Sequence, residues 1–152
     1  MQSFQPNPIV NLNDELAYQK AILGSVSRTF ALTIPLLPPA IEIVVGNTYL
    51  LCRIVDTIED AANLTPESKQ ALSKLFLDAV LEKTSVQSFV EPCLQALKGY
   101  GNQDELDLIS NTPTVLKILH TCSSQDQAAV SRCVSIMSEG MSSFHGKQTQ
   151  SG

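Results

Sequence analysis

Residues 49–62, YLLCRIVDTIEDAA, set three carboxylates and one arginine into a run that otherwise reads as core. Asp56, Glu59 and Asp60 fall within five residues, at separations of one, three and four. On a helix such like charges crowd one another and weaken it. They also lie near the helix's C-terminal end, where the macrodipole disfavours anions. Projected at about 100° per residue, residues 41–61 gather Glu42, Gly46, Tyr49, Arg53, Asp56 and Asp60 on one narrow stripe, with Glu59 bordering it. The remainder is almost wholly apolar. A helix apolar around most of its circumference packs inside a bundle, so the stripe faces either water or an internal cavity.

The residues alone leave two readings open. Charged stripes are ordinarily solvated faces. Here, however, three acids have one nearby cation, whereas a surface stripe mixes signs. Divalent metal ions would relieve both the crowding and the dipole, because hard cations take carboxylate oxygens. Mg²⁺ in particular joins one or two carboxylates to substrate phosphates.

Helical periodicity continues outward from this stretch, and no strand-like alternation or hairpin turn interrupts it. The expected fold class is all-α. Helices are expected over about 13–33, 39–61, 66–82, 86–99, 104–121 and 125–144. Pro38 and Pro39 suit a helix start, and Thr65-Pro66-Glu67 reads as N-cap, first-turn proline and early acid. Breaks are expected at Gly99–Gly101 and Asn111–Pro113. The last helix gathers Val130, Cys133, Val134, Met137, Met141 and Phe144 on one side.

The 152 residues suffice for one domain, 1–152, with a core and no second domain. Hydrophobic residues make up 43% and charged residues 16%, a globular balance. A net charge of −5 without a Lys/Arg cluster argues against nucleic acid as a partner. The opening MQSFQPNPIVNLND lacks the basic and apolar regions of a signal peptide. The longest apolar candidate span, 29–41, is broken by Pro35, Pro38 and Pro39. Cys52, Cys93, Cys122 and Cys133 form no CxxC and are expected to be reduced core thiols in a cytoplasmic protein.

Asp56-Thr57-Ile58-Glu59-Asp60 resembles the first aspartate-rich motif, DxxED, of the head-to-head prenyl synthases, the squalene and phytoene synthases. VSRTFALTIPLLP (26–38) looks like that family's first-helix signature, and MSEGMSSF (137–144) is similar to a later segment. The DTIED form and the VSRTF lead-in look more like squalene synthases of bacterial type than plant-type phytoene synthases. The resemblance implies an isoprenoid-synthase helical bundle around a central cavity. Two farnesyl diphosphates would condense there to a cyclopropylcarbinyl diphosphate, and hydride transfer from NADPH would follow to give squalene. Asp56, Glu59 and Asp60 would hold Mg²⁺, and Arg53 would donate to diphosphate oxygens. Arg28 would meet substrate or cofactor phosphates, as would Arg53 for the cofactor. Tyr49 would orient diphosphate, move a proton or face a carbocation, and Ser27 and Phe30 would line the substrate pocket. Phytoene or dehydrosqualene synthesis stands as the alternative within the family, and a non-enzymatic helical interaction module as the alternative outside it.

Each role has a plainer competitor. Arg28 suits an ion pair with Asp14 or Glu15. Tyr49 suits a core aromatic. Ser25, Ser27, Thr29 and Phe30 suit helix packing, and Ser131, Ser135, Ser138 and Ser142 form a close-packing stripe. His120 and His145 receive no role. The family's second acidic motif has no counterpart, because Asp104-Glu105-Leu106-Asp107 lies too early. The chain is therefore expected to be the N-terminal half of such a bundle, inactive alone and prone to self-association through uncovered apolar faces. Peripheral membrane contact for product release completes the expected partners.

Overall fold

The computed structural model describes residues 12–27, 36 and 38–151, with side chains to Glu139 apart from Pro39. Among these residues there are seven helices and no strand: α1 (Asn13–Val26), α2 (Pro39–Glu59), α3 (Pro66–Val80), α4 (Gln87–Ala96), α5 (Gln103–Ser110), α6 (Thr112–Thr121) and α7 (Ser124–Ser151).

Local chemistry sets most of the boundaries. Pro38 caps α2 and Pro39 opens it, where a missing N–H costs nothing. The Thr65 hydroxyl accepts the Ser68 N–H at 3.1 Å before Pro66, as the sequence predicts. Gly99, at φ +85°, breaks the chain after α4. Asn111 ends α5 and starts α6, its amide donating to the Asp107 carbonyl at 2.9 Å.

Every expected helix differs at one boundary or more: α4 ends at Ala96, short of 99, and the expected 104–121 piece is divided at Asn111 into α5 and α6. α1 ends at Val26, not near Thr33, and Ser27 is already extended (φ −156°, ψ 100°). The Gly24-Ser25-Val26-Ser27 run has weak helix formers throughout, which favours an early end. α3 stops at Val80 because Glu82 takes the left-handed φ of 60°. α2 stops at Glu59, with Asp60 as its cap. α7 begins at Ser124 and runs on past Phe144 to Ser151, with the Ser123 hydroxyl accepting the Asp126 N–H at 3.1 Å.

α2 is the hub, packing against α1, α3, α5, α6 and α7. Leu50, Leu51, Ile54, Val55 and Ile58 are fully buried on its back. Phe76 and Phe89 join α3 to α4 with ring centroids 5.0 Å apart. Gly46 lets α1 approach closely: a Cβ there would meet Gln19 Nε2 at 2.9 Å. Buried Gln19 donates to the Ile43 carbonyl, and Asn47 donates to Gln19 and to the Val115 carbonyl at 2.9 Å, so polar bonds pin α1 and α6 to α2.

Candidate functional site

Opposite the buried back of α2, the stripe is covered at Gly46 by α1 and accessible from Tyr49 to Asp60. Tyr49, Arg53 and Asp56 are half-buried and Asp60 is exposed, whereas Glu59 is only 4% exposed. Burial first, then the charge of Asp60, raises the Asp56 carboxyl above its ordinary value, and Arg53 lowers it less. The crowding inferred from spacing is thus present between Asp56 and Asp60.

The stripe runs as a ridge between two hollows. On one side Val45, Thr48, Tyr49 and Cys52 line an apolar cavity of about 310 Å³. Burial pushes the Cys52 thiol up to about 12, aided by Cys133 on α7 and by Asp56. On the other side a hollow of about 160 Å³ is lined by Thr57, Asp60, Leu97, Tyr100 and Glu105 among others. The Thr57 hydroxyl donates back to the Arg53 carbonyl at 2.9 Å.

Arg53 crosses to α5, where its Nη2 donates to Glu105 Oε2 at 2.9 Å. Sequence reasoning alone sets the acids of 104–107 aside. Glu105 also fits a capping box with Asn102, at a spacing readable from the sequence, but its contact with Arg53 is not readable there. Asp107 accepts the Tyr18 hydroxyl at 3.1 Å.

Ser27 is half-buried at the end of α1, and Arg28, Thr29 and Phe30 lie outside the described residues. Glu15, offered as a partner for Arg28, pairs with Lys117 at 2.8 Å. His120 Nε2 lies 3.1 Å from the Val80 carbonyl. Of the four cysteines expected in the core, Cys93 and Cys122 are buried, Cys52 is intermediate and Cys133 is exposed on α7.

Asp56 and Asp60 suit an ion that takes two carboxylates and fills the rest of its shell with water and phosphate. Among the described residues no three His, Cys, Asp or Glu side chains gather into one cluster.

A model of the squalene/phytoene synthase family matches residues 23–150. The chain is 32% identical over 132 residues to Botryococcus squalene synthase from Botryococcus braunii, covering 87% of this chain and 26% of that protein. It is 29% identical over 127 residues to a presqualene diphosphate synthase of the same organism, covering 83% of this chain and 28% of the relative. The solved complex of TcSQS with the ligand E5700 superposes with a TM-score of 0.73 at 27% identity, over 88% of this chain and 36% of that one. The chain thus spans about a quarter of the length of these curated relatives. No described helix is long and apolar enough to cross a membrane. With its acidic motif on the hub helix of this fold, and the family match extending from α1 into α7, the chain belongs to the squalene/phytoene synthase family.

Proposed function

We propose that this chain carries the first aspartate-rich half of a site that condenses two farnesyl diphosphates head-to-head. The observation that carries the reading is the ridge itself: Tyr49, Arg53, Asp56 and Asp60 share an accessible stripe of the helix whose opposite side, Leu50, Leu51, Ile54, Val55 and Ile58, is fully buried. Asp56 and Asp60 would hold Mg²⁺, with buried Glu59 the third candidate. When bound, the ion offsets the charge of a departing diphosphate and so assists ionisation. Arg53 presents planar donors to phosphate oxygens. Tyr49, at the edge of the apolar cavity, offers a ring face to an allylic cation. The apolar wall of Val45, Thr48, Tyr49 and Cys52 suits an isoprenoid chain.

Presqualene diphosphate, the cyclopropylcarbinyl intermediate, is one end-point supported by the relative of that name; squalene, after reduction by NADPH, is the other. Of the two arginines expected to meet NADPH, Arg28 lies outside the described residues and Arg53 stands beside the carboxylates.

The test is product analysis on a protein carrying this chain at the length of its relatives. It is given farnesyl diphosphate and Mg²⁺, with and without NADPH. The cyclopropyl diphosphate without NADPH and squalene with it are the expected products. Phytoene from geranylgeranyl diphosphate would move the protein to the sister reaction.

A further inference from the structure

Resting on the diphosphate reading above, we propose that Glu105 sets the affinity of that site. Its carboxylate occupies the Arg53 guanidinium when no substrate is bound and is exchanged there for phosphate oxygens.

Three observations carry this. First, the pair spans 52 residues of sequence, and the 2.9 Å contact joins side chains that are only 29% and 19% exposed. A partly buried, charge-assisted bond of that length outlasts an ordinary surface pair. Second, Glu105 is itself held in place. Its Oε1 accepts the Asn102 N–H at 3.3 Å, and its own N–H donates to Asn102 Oδ1 at 2.8 Å, at the start of α5. The carboxylate therefore meets Arg53 from a fixed helix end whose dipole favours an anion.

Third, the contact leaves Arg53 incompletely satisfied. The buried Arg53 Nε has no hydrogen-bond partner, so Glu105 grips one nitrogen and not the whole fork. A diphosphate carries more oxygens and more charge than a carboxylate, and can satisfy donors that Glu105 leaves unmet. Glu105 and Asp60 also line the same hollow. With Asp60 beside Glu105, an anion that displaces the Glu105 carboxylate meets a second negative charge nearby, so the exchange favours a phosphate that arrives with a cation.

Glu105→Gln isolates the effect. Glutamine also serves the third position of a capping box, so α5 stays capped while the charge on Arg53 is removed. The probe is inorganic pyrophosphate at millimolar Mg²⁺, titrated calorimetrically into a protein carrying this chain at the length of its relatives and into its Glu105→Gln, Arg53→Gln and doubly substituted forms. Circular dichroism checks that each is folded. Glu105→Gln should tighten binding by roughly three- to tenfold, Arg53→Gln should weaken it, and the gain should vanish in the double variant. Binding measurable only in Glu105→Gln supports the same conclusion. Weaker binding by Glu105→Gln overturns the proposal, because Glu105 would then be supporting Arg53. So does an undiminished gain without Arg53, which would reduce the effect to bulk charge. If no folded variant binds Mg-pyrophosphate, the diphosphate reading itself falls and the proposal with it.

Discussion

Asp56 and Asp60 stand one turn apart at the end of α2, and the charge of Asp60 adds to burial in raising the Asp56 carboxyl. The fold holds these two carboxylates together at a cost in stability. A group whose pKa is raised in the folded state favours folding most below its unfolded value, and this advantage is lost as pH rises through the folded value. Asp56→Asn should therefore raise the melting temperature of the chain at pH 7, and the difference should shrink on acidification through the ordinary carboxylate range near 4. Melts at pH 7 and pH 3 test the sign. An unchanged or lower melting temperature at pH 7 would contradict it. In a protein carrying this chain at the length of its relatives, the same substitution should cut turnover of farnesyl diphosphate by orders of magnitude.

Arg53→Lys keeps the charge and loses the planar fork. Turnover of farnesyl diphosphate should fall on the order of tenfold or more, as expected when a charged hydrogen bond is lost. A wild-type rate would leave Arg53 as a counter-ion for Asp56 and Glu105 alone.

Tyr18 ties α1 to α5 through Asp107. Burial, then the Asp107 hydrogen bond, raises the phenol above its ordinary value, so the native state keeps that proton longer than the unfolded chain. Stability from this group is fully present below the unfolded value, about 10, and is lost as pH rises through the folded one. Tyr18→Phe should cost about 1–2 kcal/mol at pH 7. Above pH 10 the wild-type chain should lose stability more steeply with rising pH than the variant, which thermal melts across that range would show.

Thiol labelling reads the packing directly. Burial pushes the Cys93 thiol up to about 12 and Cys122 up to about 11, and Cys52 is raised to about 12. Exposed Cys133 should take iodoacetamide first at pH 8, as one adduct by peptide mass analysis. Equal labelling of Cys93 would mean that the α3–α4 core is open.

The 152-residue chain by itself should make no squalene from farnesyl diphosphate, even with millimolar Mg²⁺ and NADPH. On the proposed reading its acidic ridge would hold diphosphate from one side only, and Asp60 is open to water, which captures allylic cations. Squalene from the purified chain would refute this.

By itself the sequence determined what depends on near neighbours and on period. The all-α class follows from apolar spacing along each helix, the starts at Pro39 and Pro66 from proline and threonine chemistry, and the stripe of Tyr49, Arg53, Asp56 and Asp60 from helical geometry alone. Where each side chain of that stripe goes was decided by tertiary structure, because adjacent positions on one helix meet different neighbours. Glu59 turns into the core while Asp60, the next residue, is exposed. Cys133 is left outside while Val134 is fully buried. Arg53 meets Glu105 only because α5 lies against α2, a juxtaposition made by packing across 52 residues that no local spacing encodes.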